Sequence, residues 1–207
     1  EETLAAWLAQ KAPQTVALCA IPGYQRKIRE EMPGLRPDLG NDLSALRRES
    51  IRVLLQRAGE DPNLAEPAFD VFFEARQNVI FYEDAMPALD FLKSKYPLVA
   101  LSNGNADIHK VGLGNYFMAA FNPINLGVSK PDAKMFHAGA QALGVLPEEV
   151  LHIGDDPHLD VLASQRAGMQ SVWVNRDEKQ WAHDTHPAPF TVKCLKSLCD
   201  AWPVASK

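Results

Sequence analysis

The residues best suited to chemistry are three short clusters, each placed directly after an apolar run or just before a helix. The first is Gly154-Asp155-Asp156-Pro157-His158-Leu159-Asp160, three carboxylates within six positions, following Val150-Leu151-His152-Ile153. The second is Ser102-Asn103-Gly104-Asn105, small hydrogen-bonding groups after Leu98-Val99-Ala100-Leu101. The third is Gly127-Val128-Ser129-Lys130-Pro131-Asp132, leading into an apolar periodic segment. Together they suit a phosphoryl group. A hydroxyl and backbone N–H groups donate to non-bridging oxygens, and an ammonium opposes the charge of the transferring group. Carboxylate oxygens are hard ligands of the kind Mg²⁺ accepts. Singly, each cluster reads as a turn, a solvated helix boundary or a set of caps. Their shared position, at the carboxyl ends of successive strands, is where open α/β sheets bind ligands.

The elements that must position these clusters follow from periodicity. From about residue 84 onward, strands and helices alternate. Asp84 caps a helix to about Lys95, and a strand follows at 98–101. A second strand is expected near 120–126 and a helix from Asp132 to Leu143 with Gly144 as its stop. Then come a strand at 150–153, a helix near 159–167 ending at Gly168, and a strand at 171–174. Short apolar runs between helices predict a doubly wound parallel sheet covered on both faces. Residues 1–83 show only helical signals. Leu4, Trp7 and Leu8 share a face. Leu43, Leu46, Ile51, Leu54, Leu55 and Ala58 repeat at three and four, between Asn41 or Asp42 as N-cap and Gly59 as stop. Phe69, Phe72, Phe73 and Ile80 continue the pattern. The expected organisation is a helical cap domain over 1–83 and an α/β core over 84–207.

These motifs resemble the haloacid dehalogenase-like hydrolase superfamily. Its second motif, a strand ending in Ser or Thr, matches Leu98–Ser102 with Asn103-Gly104; its third-motif lysine matches Lys130; its fourth, Gly-Asp-Asp-x-x-x-Asp, matches Gly154 to Asp160. The resemblance is close over residues 84–176 and is greatest to bacterial phosphatases of phosphorylated metabolites, the flavin mononucleotide group among them. It implies a Mg²⁺-dependent phosphatase working through an aspartyl-phosphate. Ser102 and Lys130 would be catalytic, with Ser102, Asn103, Gly104 and Lys130 binding the phosphate. Asp155 would ligate Mg²⁺, with Asp156 and Asp160 as further ligands or orienters of its waters. The acidic Gly-Asp-Asp form speaks against the dehalogenase branch. Two other readings stay open: a non-catalytic relative, or a phosphonate- or phosphomutase-type enzyme, for which Lys11 and Lys27 are nominal Schiff-base lysines.

The family's first motif, Asp-x-Asp-x-Thr, has no match, and Glu1-Glu2-Thr3-Leu4 reads as helix. By resemblance that strand lies between 98–101 and 150–153. Without it the buried edges there would carry unpaired backbone groups, each costing about 1–3 kcal/mol against a total stability of roughly 5–15 kcal/mol. The expectation is a natural chain with about 20–40 further N-terminal residues bearing the strand and its aspartates.

Composition narrows the partners. The chain has 207 residues, 46% apolar and 23% charged, with a net charge of −5. That balance argues against a nucleic acid polymer or an anionic membrane surface, and no run approaches the roughly 18 apolar residues of a membrane span. A small phosphorylated metabolite, a cytoplasmic setting and a monomer or homodimer are expected. Cys19, Cys194 and Cys199 lack metal-ligand spacing and read as reduced thiols. His183 and His186 read as surface groups and His152 as a hydrogen-bonded core histidine. His158, Arg76 and one of Phe69, Phe72, Phe73 and Phe81 are lesser candidates for touching substrate.

Overall fold

Local signals fix most of the helices. In the computed structural model, which describes residues 2–182 and 189–202, the Asp42 carboxylate accepts hydrogen bonds from the Ser44 and Ala45 amides and opens α4 (Leu43–Arg57). Before it lie α1 (Glu2–Lys11), α2 (Pro13–Cys19) and α3 (Tyr24–Leu35), and after it α5 (Ala65–Gln77). Leu8, Ala12, Ile51, Leu55, Ala68 and Phe69 pack one core among these helices, and Ile28, Met32 and Leu54 a second. Ile80, expected on the α5 face, lies beyond the end of the helix and is fully exposed.

By packing, the chain forms two units, residues Glu1–Val79 with Gly104–Val111, and Ile80–Asn103 with Gly112–Lys207. The division therefore falls at 79/80 rather than 83/84. Residues 104–111, read from sequence as part of the α/β unit, pack with the helices. Side chains explain this: Asn105 Nδ2 donates to Ser44 Oγ, the Asp107 amide donates to Gln77 Oε1, and Lys110 pairs with Glu74.

In the second unit all strand pairing is parallel. After α6 (Ala85–Lys93), β1 (Val99–Leu101) pairs with β2 (Ala119–Phe121). The 120–126 run does not continue as a strand. Asn122 caps a short helix, α7 (Pro123–Leu126), with Pro123 at its first turn and Gly127 in the left-handed region after it. Next come α8 (Ala133–Leu143), β3 (Leu151–Gly154), α9 (Ala163–Arg166), β4 (Gln170–Val174), β5 (Phe190–Val192) and α10 (Leu195–Asp200). β3 pairs with β4, and β4 with β5. Met135 and Phe136 of α8 and Ala163 of α9 pack with Leu101 and Phe121. Val172, Val174 and Leu198 pack with Leu151 and Ile153. Helices thus cover both faces, as a doubly wound α/β fold requires. The sheet is in two pieces, β1-β2 and β3-β4-β5. Among the described residues no strand joins β1 to β3, and both are only half-buried.

Candidate active site

The strand period places the site's side chains. Leu151 and Ile153 of β3 point to one face, so His152 points to the other, edge-on to the buried Phe136 ring with centroids 5.1 Å apart. Beyond Gly154 the chain turns through Asp156, whose Oδ1 accepts from the His158 and Leu159 amides, into a π-wound turn over Pro157–Leu162. That winding carries the Asp160 carboxylate back over Gly154. A Cβ built on Gly154 would stand 2.3 Å from Asp160 Cγ, so only glycine fits.

Asp160 is the hub. Its Oδ1 accepts from Lys130 Nζ at 2.6 Å and from His152 Nε2 at 3.1 Å, and its Oδ2 accepts from the Asp156 amide at 3.1 Å. The Lys130 and Asp160 side chains are only 12% and 6% exposed. Burial pushes the Asp160 pKa up. The His152 hydrogen bond, the Lys130 charge and hydrogen bond and the Asp156 amide more than offset this and hold it well below the carboxylate range. Lys130 is anchored in turn by Asn103. The Lys130 amide donates to Asn103 Oδ1 at 2.7 Å, and Asn103 Nδ2 donates to the Lys130 carbonyl at 2.9 Å. Ser102, exposed at the end of β1, donates its amide to the Phe121 carbonyl.

The structure therefore links Asn103, Lys130, Asp160 and His152 by direct contacts, with Ser102 one peptide from Asn103 and Asp155 one peptide from Asp156. Gly104 instead begins the segment that packs with the helices. The three carboxylates offered to Mg²⁺ are engaged differently: Asp160 by three donors, and Asp156 through Oδ1 as the cap of a turn. Among the described residues no group of three or more His, Cys, Asp or Glu is placed to hold a metal ion. Asp155 does fit a cation that takes one or two carboxylates, waters and substrate oxygens. It is exposed, its carbonyl is fixed by Trp173 Nε1 at 3.0 Å, and it borders a cavity of about 370 Å³ with Tyr82, Gly154, Asn175, Arg176 and Lys179.

The residues after β4 escaped the sequence reading. Asn175 clasps the Lys179 backbone by two hydrogen bonds, as Asn103 clasps Lys130, and Arg176 lies over the Tyr82 ring while its Nη2 donates to both oxygens of Asp84. The available signal was Asn-Arg directly after the apolar Ser171–Val174 run. Arg76, His158, Lys11 and Lys27 are exposed, and His183 and His186 lie outside the described residues.

A family model described as haloacid dehalogenase-like hydrolase matches residues 8–168. The 5-amino-6-(5-phospho-D-ribitylamino)uracil phosphatase YigB of Escherichia coli is 33% identical over 153 residues, covering 72% of this chain and 64% of that protein. The phosphoserine phosphatase of Thermus thermophilus is 31% identical over 154 residues, covering 72% and 61%. The chain thus spans about six-tenths of the length of these curated relatives. A crystal structure of 2-haloacid dehalogenase from Pseudomonas syringae pv. Tomato superposes with a TM-score of 0.83 at 31% identity, covering 96% of this chain and 87% of that one.

Proposed function

Because this chain belongs to the haloacid dehalogenase-like hydrolase family, we propose that it is the larger part of a phosphatase that hydrolyses a small phosphorylated metabolite in the cytoplasm. The observation that carries this is the buried Lys130–Asp160 pair locked to Asn103. It holds an ammonium beside the end of β1, where Ser102 and its neighbours offer donors. In this reading Ser102 holds a phosphate oxygen and Lys130 neutralises charge on the transferring group. Asp155 would hold Mg²⁺, which supplies further neutralisation of phosphate charge. Among the described residues β1 pairs with β2 alone and β3 with β4 alone, which leaves each an edge on which a further strand bearing a nucleophilic carboxylate would pair. The curated relatives with phosphatase names support phosphate as the anion released. The ribityl phosphate in one of those names makes a nucleotide- or flavin-related phosphomonoester the first substrate class to assay.

The dehalogenase of similar fold supports a second reading, carbon–halogen hydrolysis. The exposed Asp155 after Gly154, a hard anionic donor facing the cavity, favours the first. The full-length protein should release phosphate from an aryl phosphate with Mg²⁺, lose activity to a chelator, and release no halide from 2-chloropropionate. Lys130→Ala should lower kcat by roughly 10²–10³, the scale of one oriented donor to the transition state. Halide release without phosphate release would overturn the proposal, as would near-normal turnover by Lys130→Ala its assignment of that residue.

A further inference from the structure

The geometry points to His152 as a positioning residue that shares the Asp160 carboxylate with Lys130 and so keeps the Lys130 ammonium available to a bound phosphate. This rests on the phosphatase reading above. A carboxylate oxygen only accepts, so the His152 Nε2 atom 3.1 Å from Asp160 Oδ1 carries a proton and donates it. The same oxygen receives Lys130 Nζ at 2.6 Å, and the other oxygen receives the Asp156 amide. Three donors from three places in the chain therefore fix the carboxylate, and two of them compete for one oxygen.

The competition has a direction. Lys130 is a flexible stem with three donors, whereas His152 is a rigid ring on a strand, held edge-on to the fully buried Phe136. With the imidazole in place, Asp160 cannot turn to follow the ammonium, and its Oδ1 charge is divided. The ammonium keeps two N–H groups for another anion. With the imidazole donor removed, Oδ1 has Lys130 as its one remaining donor, and the pair closes more tightly at the substrate's expense. His152 bonds the carboxylate rather than the ammonium, and so acts on Lys130 through Asp160.

The test compares wild type, His152→Phe (ring kept, donor lost), His152→Gln (a donor restored at similar reach) and His152→Asn (donor too short) in the full-length protein. The readouts are kcat and KM for an aryl phosphate, affinity for inorganic phosphate by calorimetry, and Tm. His152→Phe and His152→Asn should lower kcat roughly 10- to 100-fold, the scale of partners that orient a functional group from behind, and weaken phosphate binding. His152→Gln should recover most of both. Equal values for the Gln and Asn variants would overturn the role, as would an unchanged kcat and phosphate affinity in folded His152→Phe. If His152→Phe does not fold, the Gln–Asn difference decides. A wild-type protein without phosphatase activity would sink the reaction rather than this geometry, and phosphate affinity would then judge His152 alone.

Discussion

Ion pairs of the helical unit and of the α/β unit use the same groups at different depths. Among the helices, Arg36 reaches Asp38 and Glu49, Arg48 and Arg52 share Glu66, and Arg57 reaches Glu31, mostly on open or half-open surface; Arg52–Glu49, at 27% and 18% exposed, is the most sheltered of them. In the α/β unit, Lys130–Asp160 is nearly sealed, and Arg176–Asp84 is 26% and 14% exposed. Each of these two acids also collects a backbone amide, Asp156 for Asp160 and Leu195 for Asp84. The Asp84 pair ties the start of α6 to the end of β4 and the start of α10. The Asp160 pair, through Asn103 and His152, stitches the β1-β2 piece of the sheet to the β3-β4-β5 piece. Exposed pairs are screened and worth little. Buried ones add little net stability against an apolar replacement, but removing one partner strands a charge. Depth therefore sets Lys130–Asp160 apart from the other pairs, with Arg176–Asp84 and Arg52–Glu49 intermediate.

Breaking the most buried pair is expected to have the largest effect. Lys130→Met leaves the Asp160 carboxylate buried with only His152 and the Asp156 amide, and should cost about 3 kcal/mol, the lower end for a broken buried pair. Denaturant unfolding at neutral pH checks this, and a loss under about 1 kcal/mol would put the pair with the surface class. The intermediate pair is tested through pH. Burial pushes the Asp84 pKa up, but Arg176 and the Leu195 amide carry it below its ordinary 3.8. A group depressed in the folded state adds stability above the unfolded pKa and loses it as pH falls toward the folded one. Wild type should therefore lose stability on acidification from about pH 5 to 3, as the unfolded carboxyl, with a pKa of about 3.9, takes up protons before the folded one. Asp84→Asn should cost about 1–2 kcal/mol at pH 7 and narrow the gap to wild type across that window. A gap that is constant with pH would remove Asp84 from the buried class.

The same contrast explains what the sequence made legible. Periodicity and caps showed α4, α8 and the strands around the site, because Asp42, Asp132, Gly144 and the apolar runs act locally. Motif spacing singled out Lys130 and Asp155. It could not show that a π-wound turn returns Asp160 across Gly154 to Lys130, where its carboxylate pairs with the ammonium. Nor could it show Arg176 meeting Asp84 from 92 positions away. Two helices of the first unit were missed for local reasons. In α3 only Ile28 and Met32 are buried amid charged neighbours and Pro33 interrupts the pattern, while α2 is seven residues long. In β5 two of three residues are exposed, which leaves no alternation to read.

The smallest expected effect sharpens the comparison from its other end. Arg57 Nη2 lies 3.2 Å from Glu31 Oε2 and bridges α3 to α4, so it links two elements just as Lys130 does. Its side chain is 39% exposed and that of Glu31 34%, so solvent screens the attraction and both chains give up rotamer freedom to make it. Arg57→Ala should cost no more than about 0.5 kcal/mol after that screening. A double-mutant cycle with Glu31→Ala should return a coupling that shrinks further between 0.05 and 0.5 M salt, values spanning about 14 to 4 Å of Debye length. A coupling above about 1 kcal/mol that ignores salt would mean that exposure fails to rank the pairs of this molecule. The Asp160 cluster would then need an explanation other than depth.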